Sequence, residues 1–423
     1  MGKGRMDAGA QMKQPDEASC DLNYDVAVVG GGPAGLATAI AMAQSGLSVA
    51  LVARKIPYAD NRTTALLGGS IAFLRGLDVW RRCEANAAAL RVMRLIDDTG
   101  RLIRAPEVKF SANEIGTDAF GYNIENRALM TAMEERAAEL GNLVRHDDDA
   151  ASVAPEENRV VVRTGQEQSL TASLVAGADG KHSLCRDAAG ITVKRRVLDQ
   201  SALTFNVTHT RPHDNISTEF HTPHGPCVFV PLPGNTSSVV WVTTPGEAAR
   251  LKALGEEDLG IAAERQSHSI LGRMRAQAGR NVFPLSIETP SALAARRIAL
   301  VGEAAHALPP IGAQGLNMGL RDAADLAVIV SGARESAEYI GSGPNLSRYS
   351  TARRADIFSR TFAIDIANRS LLSDLLPAQS LRALGLHLIG SVGPIRRLAM
   401  REGLSPSWRR GGVFSSEADT GSH

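Results

Sequence analysis

The chain has 423 residues, 44% hydrophobic and 22% charged, with Lys+Arg 46 against Asp+Glu 45 and a formal net charge of +1. That length exceeds a usual single domain, so two closely packed domains with the composition of an ordinary globular enzyme are expected. The even charge excludes the basic excess that a nucleic-acid partner would require, and no apolar run reaches the ~20 residues of a membrane-spanning helix.

Residues 1–22 mix Lys, Asp, Glu, Gln and Gly without an apolar core, and read as a disordered tail rather than a secretory signal or transit peptide. A short apolar strand over Asp25–Gly30, a Gly-rich turn, an apolar helix over Pro33–Ser45 and a buried strand over Val49–Ala53 make a β-α-β unit. Arg91–Arg104 predicts a hairpin turning at Asp98-Thr99-Gly100. A helix over Asn126–Leu140 leads to strands at Val160–Arg163 and Leu170–Ala176. Ser201–Thr244, rich in Val, Thr and Phe and broken by Pro and Gly, predicts antiparallel strands. Arg297–Val301 returns to a buried strand, a helix starts near Gln314, and Tyr349–Leu404 reads as helical with interruptions at Pro377 and Pro394.

The fold class is therefore α/β. A Rossmann-type domain (23–85, 116–195 and 285–345) is interrupted by a substrate domain built on a mixed or antiparallel sheet (86–115 and 196–284). A C-terminal helical segment (346–423) follows. Cys20, Cys83, Cys185 and Cys227 are too scattered for a metal set or a disulfide framework, and fit a reducing compartment. His209, His213, His221, His224 and His306 lack a supporting carboxylate pattern, so no metal site is expected.

Three motifs carry the chemistry. Gly30-Gly31-Gly32-Pro33-Ala34-Gly35 is a GxGxxG between a strand and a helix. Gly30 permits the tight turn, Gly32 lets the backbone approach a pyrophosphate, and Gly35 lets helix and strand pack closely. The helix N-terminus then presents unpaired amides to the phosphates. An acidic residue is expected at the end of the next strand to hold the adenosine ribose, but Ala53-Arg54 stands there. Arg54 alone would permit a 2′-phosphate and hence NADP. The second motif, Gly177-Ala178-Asp179-Gly180-Lys181-His182-Ser183, follows a strand; an Asp-Gly turn with a Ser N-cap explains it equally well. The third runs from Val301-Gly302-Glu303-Ala304-Ala305-His306 through Pro309-Pro310-Ile311-Gly312-Ala313-Gln314-Gly315-Leu316-Asn317 to Arg321-Asp322-Ala323. A strand delivers a carboxylate at its C-terminal end, and a Pro-rich turn feeds glycines into a helix N-terminus that suits an anion or an electron-rich carbonyl.

In this order the three motifs resemble those of the class A flavoprotein monooxygenases, the fold family of para-hydroxybenzoate hydroxylase. Pro309–Asp322, Arg62-Thr63-Thr64-Ala65-Leu66 and Gly121-Tyr122-Asn123-Ile124-Glu125-Asn126-Arg127 are especially similar to the ubiquinone-biosynthesis hydroxylases. The resemblance runs from about Tyr24 to Leu404 and implies that the Rossmann-type domain binds FAD, which outweighs the NADP reading of Arg54. It implies that Gly30, Gly32 and Gly35 hold the pyrophosphate, and that Arg62 and Arg127 reach the phosphate or ribityl region. Asp179 and Gly180 belong to a motif serving FAD and the reducing nicotinamide. The amides of Gly312, Gln314 and Gly315 would lie by the flavin pyrimidine ring, with Asn317 in the same turn. Glu303 stands where the family usually has Asp, bonded to a ribityl hydroxyl.

The implied activity is hydroxylation of a polyprenylated phenol with O2 through a flavin hydroperoxide, with NAD(P)H or another donor as transient reductant. Pro309, Pro310 and Gly312 are the pocket candidates, and the residues name no catalytic base. Apolar residues from Ile357, Phe358, Phe362 and Ile366 to Leu398, flanked by Arg382, Arg396, Arg397 and Arg401, read either as closing the core, the favoured reading, or as docking on a membrane surface. The expected location is cytoplasmic, peripheral at the inner face of the membrane if the tail docks, with a ubiquinone-biosynthesis complex as a further partner. The alternatives are a general aromatic hydroxylase of the same fold and a non-catalytic FAD-binding subunit of a biosynthetic complex.

Overall fold

The computed structural model describes residues 22–55, 61–101, 104–310, 312–372 and 393–404. The expected tail, apart from Leu22, lies outside these residues, as do Cys20, Ile311, Pro377 and Arg382.

The strand Leu22–Val29 lies at the centre of an eight-stranded sheet, parallel to Ser169–Gly177 on one side and to Val49–Val52 on the other. Leu143–His146 and Ile298–Leu300 extend the parallel core outwards. Val26 to Val29 are all buried, so the strand is continuously apolar rather than alternating. The helix Pro33–Gln44 has Pro in its first turn and is buried along its whole length from Gly35 to Ala43. Such all-round apolarity suits an element held between the sheet and a second helix, Gln314–Glu335.

The second eight-stranded sheet is antiparallel except for one pair, Ile216–Thr222 with Val92–Asp97. Its longest strand, Val193–His209, pairs with Thr236–Thr243 and with Asn281–Pro290. One face buries Phe205, Val207, Phe220, Phe229, Val239 and Trp241 against Leu251 and Leu259 of two short helices. In a three-stranded sheet Gly121–Glu125 pairs with Thr63–Leu67 and with Ala87–Leu90, and Thr63 and Asn123 of this sheet bond to Ser238 and Pro231 of the second large one.

One local expectation needs correcting. The hairpin from Arg91 is real, but its return strand is Val108–Ser111, paired as Val92↔Ser111 and Leu95↔Val108. Asp98-Thr99-Gly100 does not close it. The Asp97 carboxylate accepts the Thr99 amide, the Thr99 hydroxyl and the Ala105 amide, and so organises a longer connection. The residues before Gly393 lie outside the described ones, so only the far side of the expected interruption at Pro394 is described. Pro394 stands in the first turn of the helix Gly393–Leu404, where its missing N–H has no helical partner to lose.

Candidate functional site

The glycine turn obeys the spacing rules atom by atom. Gly30 has φ +110, and a Cβ there would sit 2.2 Å from the Ala178 carbonyl oxygen. A Cβ on Gly35 would come within 2.0 Å of the Gly30 carbonyl oxygen, so helix and strand touch through their backbones. At Gly32 a Cβ would meet no described atom within 4 Å; the space in front of this residue is open. Gly32 is also the N-cap of the helix, with no side-chain cap and no acidic residue in the first turn. The first amides are left for an anion, and this cradle fits a dinucleotide pyrophosphate.

At the end of the second strand Ala53 is buried, and the space nearby belongs to Arg145 of the adjacent strand. Its guanidinium donates to the carbonyls of Ala53 and Arg54, both at 3.2 Å, and forms an ion pair with Glu134 at 2.6 Å. Arg54 itself is exposed and paired with Asp149, which leaves its charge countered rather than waiting for a phosphate.

The second motif packs against the first. The Asp179 carboxylate accepts the Ser183 hydroxyl at 2.5 Å and the Cys185 amide at 3.0 Å, while Ser183 caps the short helix Leu184–Ala188 by accepting the Arg186 amide. Asp179 and Ser183 thus work as turn and cap, and Gly180 follows at φ +80. Arg186 donates to the carbonyls of Lys181 and Ala304, tying this loop to the third motif.

In the third motif Glu303 is exposed in a single 3-10 turn after the strand Ile298–Leu300. The segment beyond it straddles both large sheets, because Ala307 bridges to Glu288 of the second one. Pro309 is buried and Pro310 exposed. Gly312 and Ala313 then adopt consecutive left-handed conformations, φ +64 and φ 55. For Ala313 this costs about 1 kcal/mol or more and requires support. Asn317 supplies part of it: its amide donates to the Ala313 and Ala65 carbonyls, and its oxygen accepts the Leu67 amide and the Ser70 hydroxyl. With those four bonds made, the side chain of Asn317 holds the loop in place. Gln314 is buried and donates to the Gly312 carbonyl at 2.8 Å, while Gly315 is exposed with open space around it.

Arg62 stacks over Phe283 at 5.7 Å, and its carbonyl accepts the Asn126 amide at 2.8 Å. That bond brings the first turn of the helix Asn126–Ala138 alongside, where Arg127 is exposed beside Glu125 at 3.5 Å. Next in the chain, the Thr63 hydroxyl donates to Ser238 at 2.8 Å, and Asn123 donates to the Pro231 carbonyl at 2.9 Å. By cross-strand register Ser238 shares its sheet face with Val230, Val240, Val228, Glu219 and Ser217. The last five are only half-buried, unlike the closed opposite face. The second sheet therefore turns a half-open face of mixed character, with Val228, Val230 and Val240 beside polar neighbours, toward the strand that ends at Leu67. His221 on the same face bonds Glu219 at 3.1 Å, and His209 bonds Ser237 at 3.0 Å.

His306 is already engaged, its Nε2 hydrogen-bonded to the Asp322 carboxylate at 2.7 Å. Burial alone would raise the Asp322 carboxyl, but His306 and Arg353 outweigh it and hold it at about 2. No group of His, Cys, Asp or Glu able to hold a metal occurs among the described residues. Arg145, Arg186, Arg353, Asp356 and Arg360 were not legible as site residues in the sequence, since charged side chains at helical or strand spacing read as solvated.

A family model described as an FAD binding domain matches residues 23–355. The chain is 30% identical over 406 residues to the ubiquinone hydroxylase UbiL of Rhodospirillum rubrum, covering 92% of this chain and 91% of that protein. It is 30% identical over 401 residues to the 3-demethoxyubiquinol 3-hydroxylase of Escherichia coli, covering 90% and 98%. Among solved structures it is similar to the p-nitrophenol 4-monooxygenase PnpA of Pseudomonas putida, with a TM-score of 0.74 at 20% identity and coverage of 91% and 98%; that likeness is one of fold.

Proposed function

This chain belongs to the family of FAD-dependent monooxygenases, and on that footing we propose that it hydroxylates the aromatic ring of a polyprenylated phenol in ubiquinone biosynthesis. The observation that carries the proposal is near-full-length similarity, at 30% identity, to proteins named as ubiquinone hydroxylases. FAD is the cofactor, and bound FAD supplies the electron store and oxygen chemistry that no amino-acid side chain provides.

The chain's own residues bind, orient and exclude water. The open cradle at Gly32 takes the pyrophosphate, between Gly30 and Gly35. Arg62 and Arg127, on segments joined by the Arg62–Asn126 backbone bond, are suited to the phosphate and ribityl region, and Glu303 is exposed at the end of its strand for a ribityl hydroxyl. The left-handed turn at Gly312 presents the amides of Gln314 and Gly315 to the electron-rich edge of the flavin ring, an oxyanion-hole type of stabilisation. Asp179 with Gly180 and Asn317 act by fixing these loops. Pro309 and Pro310 stiffen the segment that faces the second sheet, whose half-open face of Val228, Val230 and Val240 offers an apolar wall to an aromatic ring. The reductant is NAD(P)H or another donor that docks transiently.

A lipophilic substrate also explains the outer face of the helix Gly343–Leu372. Ile357 and Ile364 are buried, as core closure requires, but Phe358, Phe362 and Ile366 are 69%, 57% and 51% exposed and fall on one stripe at i, i+4 and i+8. Phe358 and Phe362 stack on each other in solvent, 6.2 Å apart. No helix of the described residues is long and apolar enough to cross a membrane. Extracting a prenyl chain costs about 0.8 kcal/mol per CH₂, and we infer that this exposed stripe brings the protein to the bilayer surface instead. Arg396 is not part of that surface; it pairs with Glu114 at 2.5 Å and lies over Phe110.

Deleting the gene in a strain without a compensating hydroxylase should deplete ubiquinone and accumulate a precursor lacking one hydroxyl, read by mass spectrometry. Normal ubiquinone in that strain would reduce the reading to a general aromatic hydroxylase.

A further inference from the structure

The helix Gly343–Leu372 has a charged inner face as buried as any apolar core. Arg353 and Asp356 are 0% exposed and Arg360 is 9% exposed. Arg353 donates through Nε to Asp322 at 2.7 Å and through Nη1 to Asp356 at 2.9 Å. Asp322 in turn accepts the Gly302 amide at 2.9 Å, so the network reaches the Glu303 turn. At its other end Asp356 accepts Arg360 Nε at 2.8 Å and pairs with Arg321 at 3.1 Å. Arg360 Nη1 then donates to Gln314 Oε1 at 2.7 Å, and Arg321 Nη2 to the same oxygen at 3.2 Å.

Gln314 is the residue whose amide nitrogen holds the Gly312 carbonyl. Two guanidinium donors on its oxygen fix which end of the carboxamide faces the turn: the oxygen points to the arginines and the nitrogen to Gly312. An Asn–Gln flip would place NH₂ against two cations and leave the Gly312 carbonyl facing an oxygen. The left-handed pair Gly312–Ala313 is thereby held from outside the turn. It is held by a residue, Arg360, that lies beyond the stretch matched by the family model, 23–355.

We propose that Arg360 is a positioning residue for the flavin-ring end of the cofactor site. Acting through Gln314, it holds the Gly312–Ala313 turn so that the amides opening the helix Gln314–Glu335 meet the flavin ring edge. It touches neither cofactor nor substrate. The inference rests on the placement of the flavin ring at Gly312–Gly315 proposed above. Arginine is required because its planar fork serves Asp356 and Gln314 together, which the single ammonium of lysine does only in part.

The test is a pair of titrations on the apoprotein, one with FAD and one with ADP, which fills only the pyrophosphate end at Gly30–Gly35. Arg360→Gln should weaken FAD at least tenfold and alter the visible flavin spectrum, while ADP affinity stays within twofold of wild type. Arg360→Lys should fall between. Gln314→Ala leaves the Arg–Asp cluster whole and should reproduce the selective loss, which keeps the test decisive should Arg360→Gln fail to fold. Unchanged FAD affinity and spectrum in folded Arg360→Gln or in Gln314→Ala would overturn the proposal, as would equal losses of FAD and ADP. Wild-type protein that binds ADP but gains nothing from the flavin half of FAD would instead overturn the placement of the flavin ring.

Discussion

A methyl group at Gly35 would press on the Gly30 carbonyl from 2.0 Å, whereas one at Gly32 would meet no described atom within 4 Å. The two glycines therefore differ: packing fixes the one at Gly35, while Gly32 faces the open space proposed for the pyrophosphate. Gly32→Val separates these effects. The variant is expected to fold with a melting temperature near that of wild-type apoprotein, since its side chain enters open space, and yet to bind FAD at least ~100-fold more weakly, a loss of about 2.7 kcal/mol. Flavin fluorescence titration with a parallel thermal melt checks both halves. Wild-type FAD affinity in the folded variant would remove this turn from the pyrophosphate site.

Strands and helices whose signal is local were legible from sequence. The central strand, its Gly-rich turn and the Pro33 helix are legible because a continuously apolar strand beside a GxGxxG leaves few other structures. The boundary at Val108 was not, because the Asp97 carboxylate bonds to Ala105 eight residues on, and no turn signal records such a reach. Still less visible was the two-sided character of the helix Gly343–Leu372. Arg353, Asp356 and Arg360 follow each other at i, i+3 and i+7 and read as a solvated face, while Phe358, Phe362 and Ile366 read as core. Docking on the Gln314–Glu335 helix reverses both readings. The exposed stripe yields a prediction at this scale. Each Phe transferred from water into the interface gains about 2 kcal/mol, so Phe358→Ser with Phe362→Ser should weaken binding to sedimented phosphatidylcholine vesicles at least tenfold. The melting temperature should not fall, because neither ring contributes to the core. Vesicle binding unchanged by the double substitution would remove the stripe from any membrane contact.

Across the whole molecule two apolar cores meet at a polar seam. Trp80 is buried in the core of the parallel sheet and Trp241 in that of the antiparallel sheet, which makes each core separately observable. Thr63 to Ser238, Asn123 to Pro231 and the pair of Arg196 with Asp365 tie the two together. The proposed cofactor contacts come from residues 30–35, around 180 and 302–317, so no short segment forms the site alone, and Arg62, proposed to reach it, rests on Phe283 of the second sheet. A ligand held at this seam stabilises both cores at once. FAD at 100 times its Kd adds about 2.7 kcal/mol to the native state, which for a chain of this size corresponds to a rise of roughly 3 °C. In Trp241→Phe and Trp80→Phe variants, each reporting one core by fluorescence with Trp408 common to both, the two melting transitions should coincide and shift upwards together on adding FAD. A shift confined to the Trp80 signal would mean that the cofactor is held by the parallel-sheet core alone, and that the second sheet contributes to substrate without sensing the flavin.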